Sequence, residues 1–373
     1  MTTKALTIFS ALLCLGIAGC GPVEPIRIGF IGGLSDRNSD NGQSGLNGVT
    51  LAVEEVNRSG GINGRLIELI PRDDAQNRDV AANSANELVA AKVEAVIGPF
   101  TSSMAEVIVP ITRNADIFQV SPTITSMTFY GKDDNLFRIN RTTRENARDY
   151  AAVLIGRGQR HIAVAYDTRN GNFTESWLSE FRTALAAGGA AISAAVPYES
   201  GANTDFAQLV QQMRASQPDG LFFISGALDV AHLAQQARIQ APQLPIGASE
   251  WAATEQLIEL GGKMVEGLLI VQNYNRDDKS ARFAEFTEAY FKRFKRQPGY
   301  SSVSAYDAAV VVLSALKNRR GDEMLKAAAL RSGPYSGLQQ SISFDANGDT
   351  ERRVFFTEIR SGKYVQVESV ENH

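Results

Sequence analysis

The chain has 373 residues, of which 44% are hydrophobic and 21% are charged, and its formal net charge is −4. This slightly acidic balance argues against a nucleic-acid partner, because such partners normally require a basic surface. The length favours two domains over one.

The first twenty residues have the composition of an export signal. A short basic start, MTTK, precedes the apolar run ALTIFSALLCLG, which is shorter than the ~20 residues needed to span a membrane. The segment ends in Ile17-Ala18-Gly19-Cys20, which resembles a bacterial lipobox, where cleavage precedes the cysteine and its thiol receives a diacylglycerol. We therefore expect residues 1–19 to be a signal peptide and residues 20–25 to be a lipidated tether. The alternative is an ordinary signal peptide with an incidental cysteine.

The sequence contains two cysteines, Cys14 and Cys20. Cleavage before Cys20 would remove the first, and lipid would occupy the second. We therefore expect a mature body without a free thiol or a disulfide bond, although the protein is exported. Its stability must then come from burial of a core, which a chain of this length can provide.

From residue 26, strand-like apolar runs alternate with helical patterns. The run IRIGFIG ends in glycines, and the later pattern GLNGVTLAVEEVN has apolar residues at helical spacing. Strands separated by helices of roughly ten to fifteen residues indicate parallel βαβ units. The first half is predicted to contain strands at 26–32, 65–74, 95–98 and 117–122, and helices at 45–57, 79–92 and 103–114.

The same alternation resumes after the stretch FRINRTTREN, and the pattern changes again near the C terminus. There, the strand-like segments ISF, RRVFFTEIRSG and KYVQVESV are separated by DANGD and SGK. The sequence therefore predicts an α/β protein with two doubly wound lobes, which accounts for the pattern better than one large sheet. The second half is predicted to contain strands at 161–167, 190–198, 219–226, 244–249 and 267–274, and helices at 145–156, 174–187, 204–216, 228–240, 279–296 and 302–317.

Three glycines near the first strand, Gly29, Gly32 and Gly33, suggest a dinucleotide site, but their spacing does not fit one. They have the pattern G-x-x-G-G, whereas the dinucleotide fingerprint is G-x-G-x-x-G leading directly into a helix. Eleven residues, SDRNSDNGQSG, also separate the glycines from the predicted helix. No Walker A sequence occurs either, so we expect no nucleotide cofactor.

The sequence offers little for catalysis or metal binding. His161, His232 and His373 are the three histidines, and nothing places any of them beside a nucleophile and an orienting carboxylate. We expect His161 to begin a buried strand and His232 to lie on an exposed helix face. Asp73 and Asp74 at a strand end would be able to hold a cation, but such carboxylates more often cap the following turn. We expect no enzyme activity, no catalytic residues and no metal.

Binding is better supported, because several strands end in hydroxyl or small residues. In open α/β sheets, ligands lie outside the carboxyl ends of the strands. In VIGPFTSSMAEVIVP, residues 96–110, a strand leads into a helix whose first turn contains Ser102, so hydroxyl and backbone donors meet the positive end of the dipole. Ser102 as a simple N-cap is the alternative. Glu250, after another strand, suits an ammonium group, and the combination predicts a zwitterionic ligand.

These features resemble a known family. The chain is similar to type I periplasmic solute-binding proteins of the branched-chain amino acid (Leu/Ile/Val-binding) group, which feed ABC importers, over roughly residues 26–365. The motifs that carry the resemblance are IRIGFIGGLS, the run from Asn41 to Asn57 followed by SGGINGR, RDDAQN, VIGPFTSS, SPTITS, LFRINRT, the helix with Tyr306-Asp307-Ala308, and FDANGD.

The resemblance implies a Venus-flytrap architecture with three hinge crossings, near residues 142, 272 and 346. The first lobe would comprise residues 26–142 and 273–345, and the second lobe residues 143–272 and 346–373. Closure of the lobes would sequester the ligand and present a composite surface to the membrane subunits of an ABC importer. We expect Tyr306 and Asp307 to serve helix packing and hinge geometry.

The resemblance also implies roles for individual residues. Ser102 would donate its hydroxyl to the ligand α-carboxylate, Thr123 would offer backbone groups, and Thr125 would offer a second hydroxyl. Phe173 would cover the ligand from the other lobe. Glu250 would receive the ammonium group, with Ser249 as the alternative if the alignment shifts by one residue.

Two departures from the family pattern weaken the case for leucine or valine. Ala227-Leu228 stands where amino-acid-binding members often have a tyrosine, and no aromatic residue lies near Asn41. Trp251 is expected either to line the cleft or to join the core. We therefore expect an exported lipoprotein that delivers a small carboxylate-bearing solute to an ABC importer, and an amino acid is the solute that we expect first. A ligand-sensing receptor or regulatory envelope lipoprotein with the same fold is the alternative.

Overall fold

A computed structural model of the chain describes residues 24–35, 37 and 39–369. The predicted signal peptide and Cys20 lie outside these residues. Within the described part of the chain, every helix is too short or too polar to cross a membrane.

The first lobe is built on a five-stranded parallel sheet in the order β2-β1-β3-β4-β5. Strands β1, β3, β4 and β5 consist almost wholly of buried residues, because helices cover both faces of a parallel sheet. The elements are β1 (Ile26–Gly32), α1 (Ser39–Arg58), β2 (Ile67–Asp73), α2 (Arg78–Ala90), β3 (Ala95–Ile97), α3 (Ser102–Asn114), β4 (Phe118–Ser121) and β5 (Leu136–Arg138).

The second lobe is built on a seven-stranded sheet in the order β14-β13-β10-β9-β8-β6-β7. Its strands are parallel except for β13 and β14, which pair antiparallel at one edge. The elements are α4 (Thr143–Gly156), β6 (His161–Asp167), α5 (Gly171–Ala187), β7 (Ala191–Tyr198), α6 (Phe206–Arg214), β8 (Gly220–Ile224), α7 (Ala227–Gln240), β9 (Ile246–Ala248), α8 (Glu255–Gly261), β10 (Leu269–Gln272), β13 (Phe355–Arg360) and β14 (Lys363–Ser369).

Between β10 and β13 the chain returns to the first lobe. Ala308 and Val312, in the helix Tyr300–Asn318, are buried in one core with Ile28 and Ile97 of the first sheet. The chain thus passes between the lobes three times: after β5, after β10 and before β13. The exact residue ranges that the sequence analysis assigned to each lobe remain predictions. The elements of this return are α9 (Ala281–Phe294), α10 (Tyr300–Asn318), α11 (Leu325–Ser332), β11 (Tyr335–Ser336) and β12 (Ser341–Ile342).

A buried ion pair ties α10 to the last crossing. Asp307 is fully buried, and its Oδ2 accepts a hydrogen bond from Nη2 of Arg352 at 3.0 Å. Its Oδ1 accepts from the Leu338 amide at 2.7 Å. Burial raises the pKa of Asp307, while Arg352 acts in the opposite direction. The neighbouring Tyr306 donates to Glu55 of α1 at 2.5 Å, so these two residues make packing and crossing contacts, as expected.

The start of α1 is the main difference from the sequence prediction. The helix begins at Ser39, not at residue 45, so the supposed eleven-residue loop after the glycines does not exist. The missed residues before position 45, SDNGQS, contain no apolar residue and include Gly42, so they show no helical periodicity. Glycine is required at position 42, because a Cβ there would overlap the Gly33 carbonyl. The exclusion of a dinucleotide site therefore rests on glycine spacing alone.

Several short elements were also missed. The sequence analysis did not predict β5, α8, α11 or β11, which are all eight residues long or shorter, and its strand-like segment ISF overlaps β12 at Ile342 alone. His161 begins β6 as predicted. As the first residue of the strand it is exposed, with 67% of its side chain accessible, and it contacts Asp219. The rest of the strand is largely buried, so the expectation that His161 begins a buried strand is confirmed.

Candidate functional site

A small cavity of about 20 Å³ lies between the lobes, beyond the carboxyl ends of the strands of both sheets. This volume is close to that of a single water. The walls come from both lobes, so any molecule bound there would touch both. The lining residues are Phe100, Ser102, Thr123, Asn170, Phe173, Glu250, Trp251, Asn273 and Tyr300.

The start of α3 forms one wall of the cavity. Strand β3 ends at Ile97, and Gly98 turns the chain at a φ of 122°, where a Cβ would overlap the Ile31 carbonyl. Thr101 is the N-cap of α3, and Ser102 is its first helical residue. The alternative prediction, in which Ser102 is the N-cap, was therefore wrong. Ser102 is buried at 2% exposure, lies in the first turn of α3 and lines the cavity. It is therefore placed to act on a ligand in the cavity.

The N-terminal end of α3, where the helix dipole is positive, already binds a hydrogen-bond acceptor from the second lobe. The Ser103 amide donates to Oδ1 of Asn170 at 3.1 Å. This is the kind of contact that the unpaired amides of a first helical turn make with anions. Asn170 was not singled out in the sequence, and it lies on the cavity wall beside Phe173.

The two threonines of the SPTITS motif have different surroundings. The Thr123 hydroxyl donates to the Phe100 carbonyl at 2.6 Å, and its amide donates to Oγ of Ser121 at 3.4 Å, so both donors of Thr123 already have partners. Thr125 is fully buried, and it is absent from the residues that line the cavity. Its Oγ1 lies 3.5 Å from Oε1 of Glu250. In this closed arrangement Thr125 contacts the predicted ammonium acceptor instead of the cavity.

Glu250 lines the cavity from the second lobe and is held by neutral donors. Its Oε1 accepts from Nδ2 of Asn146 at 2.9 Å, and its Oε2 accepts from Nε1 of Trp177 at 2.9 Å. Burial raises the pKa of Glu250, while its own backbone amide, the hydrogen bonds from Trp177 and Asn146, and the charge of Arg141 counteract that rise. A cation bound beside this carboxylate would compensate the cost of burying its charge.

Ser249, the alternative to Glu250, does not reach the cavity. Its residue is fully buried, and its hydroxyl has no hydrogen-bond partner among the described residues. The geometry therefore favours Glu250 as the residue that faces a ligand.

Aromatic rings close the remaining sides. Phe173 packs edge-to-face against Trp251, with 5.9 Å between ring centroids, so Trp251 both lines the cavity and packs within it. Burial raises the pKa of Tyr300 well above its usual value, and the carboxylates of Asp40 and Glu250 add to the effect. Tyr300 and Phe100 were missed in the sequence. Phe100 lies within the stretch analysed around Ser102, but no pattern marks Tyr300.

The Asp73-Asp74 pair caps a turn, as the sequence analysis favoured. Oδ1 of Asp73 accepts from the amides of Leu34 and Ala75 at 2.7 and 2.8 Å, and Ser35 donates to its other oxygen. Burial alone would raise the pKa of Asp73, but these hydrogen bonds outweigh it and lower the pKa. No group of three or more potential metal ligands lies together in the residues that the structure describes.

The lobes contact each other around the cavity. The Asn172 amide of the second lobe donates to Oγ of Ser103 at 3.2 Å, and Ser126 of the first lobe donates to the Asn172 carbonyl at 2.9 Å. At another point, Arg37 forms an ion pair with the buried Asp229 at 3.3 Å. The described conformation is therefore closed over the cavity.

The sequence matches a known protein family and its members. A family model described as periplasmic binding protein matches residues 25–363. The Leu/Ile/Val-binding protein of Escherichia coli (strain K12) is 23% identical over 353 residues, which are 94% of each chain. This relative is described as a binding protein and not as an enzyme.

Solved structures share the fold. The branched-chain amino acid transporter substrate binding protein LivJ from Streptococcus pneumoniae, in complex with isoleucine, has a TM-score of 0.86 and 23% identity, and the match covers 93% of this chain and 99% of that one. An ABC transporter solute binding protein from R. palustris, in complex with benzoate, has a TM-score of 0.84 and 18% identity, with 92% and 96% covered. These likenesses agree with the two-lobe α/β fold predicted from the sequence.

Proposed function

Because the chain belongs to the periplasmic binding protein family, we propose that it binds a small carboxylate-bearing solute, first of all an amino acid, in the cavity between its lobes. The observation that carries this proposal is the position of Ser102 and Glu250, which face one cavity from different lobes. Donors at the start of α3 suit the ligand carboxylate, and the Glu250 carboxylate suits its ammonium group.

The ligands of two structural neighbours support the same reading of the α3 end. One neighbour is described in complex with isoleucine and the other in complex with benzoate. A carboxylate is the group that these two molecules share. In this chain Glu250 adds an anionic partner for a cation, which favours an amino acid over a simple aromatic acid.

Binding requires the lobes to open and close. A cavity of about 20 Å³ is far smaller than an amino acid, so the closed lobes must separate or their side chains must move for entry. Once inside, a zwitterion that touches both Ser102 and Glu250 stabilises the closed form, because the open form offers it the contacts of one lobe alone.

The proposal extends to export and delivery. The lipobox-like Ile17-Ala18-Gly19-Cys20 supports secretion and lipid anchoring of the mature protein. Delivery to the membrane subunits of an ABC importer follows from the same assignment, and the transporter descriptions of the neighbours support it. In this account, importer subunits recognise the closed lobes.

A thermal-shift panel tests the proposal. The mature chain without lipid would be incubated with each L-amino acid, with benzoate, and with sugars and nucleosides as controls. We expect at least one amino acid to raise Tm, since a ligand that binds the folded state alone stabilises it by about 2.7 kcal/mol at a hundred times its Kd. Stabilisation by sugars or nucleosides alone would rule the proposal out.

A further inference from the structure

The chain segment that follows Glu250 determines where Glu250 lies. Glu250 and Trp251 both line the cavity, and both belong to one short turn. Residues 253–255, the connecting segment, lead from this turn into α8. The positions of the two cavity residues therefore depend on how the backbone of the connecting segment is held.

Arg276 holds the connecting segment from outside the cavity. It follows β10, in the second crossing between the lobes. Its Nη2 donates to the Ala253 carbonyl at 3.1 Å, and its Nη1 forms an ion pair with Oε1 of Glu255. A planar guanidinium makes both contacts at once because its donors point in fixed directions. One side chain thus fixes both ends of the segment.

Two tyrosine rings fix the guanidinium of Arg276. Its Cζ lies 4.2 Å from the centroid of the Tyr364 ring and 5.0 Å from that of the Tyr274 ring. Such cation–π contacts stabilise a charge that is partly removed from water, and 17% of the Arg276 side chain is exposed. The Tyr364 hydroxyl also donates to the Thr254 carbonyl at 2.6 Å. Arg276 and a ring that packs on it therefore hold the middle of the connecting segment as well.

Arg276 is also bound to the crossing itself. Its Nε donates to Oε1 of Gln272 at 3.1 Å, and Nε2 of Gln272 donates to Oγ1 of Thr357 at 3.1 Å, on the strand that follows the third crossing. The adjacent Asn275 amide donates to Oε1 of Gln339, between β11 and β12, at 2.9 Å. Arg276 therefore links the connecting segment to the places where the chain passes between the lobes.

We propose that Arg276 is a positioning residue for ligand binding, which holds Glu250 in place for the ligand ammonium group without touching the ligand. Arg276 is not among the residues that line the cavity, so its effect passes through the connecting segment. The backbone of a crossing changes conformation when lobes open and close, so the same contacts connect Glu250 to closure. This inference rests on the proposed function, because Glu250 is taken to bind the ammonium group.

Calorimetric titration of the mature chain and of Arg276→Met tests the inference. The probe is the proteinogenic L-amino acid that raises Tm most in the thermal-shift panel. Methionine keeps an unbranched side chain but removes the charge and the donors that reach Ala253 and Glu255. We expect Kd to rise about tenfold, which is within the range of coupling between residues of one hydrogen-bonded network.

A double-mutant cycle separates positioning of Glu250 from a general loosening of the fold. In the Glu250→Gln background, Arg276→Met is expected to change Kd by less than about threefold, because the charge that Arg276 positions is already gone. In the Ser102→Ala background it should still raise Kd about tenfold, since Ser102 lies in the other lobe and meets the other end of the ligand. A purely structural role of Arg276 would raise Kd by the same factor in the wild type and in both backgrounds.

Arg293→Met is the matched control. Arg293 also pairs with a glutamate, Glu54, and lies over the ring of Phe294, but 52% of its side chain is exposed and it does not line the cavity. Its replacement should leave Kd unchanged. Tm measurements establish that each variant is folded. If Arg276→Met does not fold, Arg276→Lys replaces it in the same cycle. Lysine keeps the charge but lacks the two fixed donor directions, so Kd should rise about threefold.

The outcomes are distinct. A wild-type Kd for a folded Arg276 variant would overturn the inference and leave the proposed function standing. The same holds if the variant raises Kd by one factor in the wild type and in both backgrounds. If no proteinogenic L-amino acid binds, the proposal of an amino acid ligand itself fails, and the inference fails with it.

Discussion

Oγ1 of Thr125 in the first lobe lies 3.5 Å from Oε1 of Glu250 in the second, inside the closed interface. Glu250 is therefore contacted by residues of both lobes, and its hydrogen-bond partners Thr125, Asn146 and Trp177 are all neutral. A ligand ammonium group would supply a cation directly beside it. Under the proposed function, Glu250 would therefore couple the charge of the ligand to closure of the lobes.

Replacing Glu250 with glutamine tests this coupling. Glu250→Gln is expected to weaken binding of the amino acid found in the panel on the order of 100-fold, because removing one member of a buried charge pair costs roughly 2–5 kcal/mol. Calorimetric titration measures the change. The matched control is Glu199→Gln, at an exposed position of the second lobe, and its Kd should equal that of the wild type.

The pH dependence provides a second readout of the same variant. Burial raises the pKa of Glu250 in the free protein, so protonation competes with ammonium binding at higher pH than for an ordinary glutamate. Affinity should fall as pH is lowered through that raised pKa, and the fall should be absent in Glu250→Gln. An identical pH profile in the two proteins would contradict the assigned role of Glu250.

Ser102→Ala separates ligand binding from helix stability. The N-cap of α3 is Thr101, so removing the Ser102 hydroxyl should leave Tm unchanged. Affinity for the ligand should fall about 10- to 150-fold, as expected for loss of a hydrogen bond to a charged group. Ser59→Ala, at an exposed position directly after α1, is the control. A wild-type Kd for folded Ser102→Ala would remove this residue from the site.

The carboxyl group of Asp167, at the end of β6, is expected to make the stability of the protein depend on pH. Burial raises its pKa from 3.8 to about 6, and the nearby Asp229 adds to the effect. Between these two pH values the carboxyl is ionised in the unfolded chain but protonated in the folded protein, so its contribution to stability is lost as pH rises. Below pH 3.8 the contribution is complete, and above about 6 it is gone.

Asp167→Asn removes this titration and retains an oxygen for the amides of Arg169 and Ser200. We expect the variant to gain stability over the wild type as pH rises from 4 to 6, by up to about 3 kcal/mol for a pKa difference of this size. Denaturant unfolding at several pH values measures the difference. A difference that stays constant from pH 4 to 7 would contradict the expectation.

Anchoring is tested at the N terminus. Cys20→Ser removes the thiol that would carry lipid, so the mature protein should move from the membrane fraction to the soluble fraction. More than one acyl chain makes membrane attachment stable, and one chain alone is marginal. Fractionation of cells that express each form gives the result. Wild-type protein found wholly in the soluble fraction after export would exclude a lipid anchor.

Much of the fold was predictable because its elements have clear periodicity. The sequence analysis placed β1 and β6 at the bounds that the structure shows, since both are apolar runs between turn residues. The start of α1 was not predictable in this way. The missed residues SDNGQS contain no apolar residue to give a helical period, and Gly42 among them weakens the helical signal further.

The lining of the cavity was predicted in part. The resemblance pointed to Ser102, Thr123, Phe173 and Glu250, and all four line the cavity. Thr125 was expected to offer a hydroxyl to the ligand, but it faces Glu250. Tyr300 was missed because its place on the wall depends on how α10 packs against α1 and on where the second lobe closes, and neither leaves a local pattern in the sequence.

The central claim is that both charged ends of an amino acid are recognised, one by each lobe. It is tested most directly by titrating the amino acid that stabilises the protein best in the panel, together with its α-amide and its deaminated acid. The account predicts that each derivative binds at least about tenfold more weakly, because one loses the charge that meets α3 and the other loses the charge that meets Glu250. Equal affinity for the amino acid and either derivative would contradict the account.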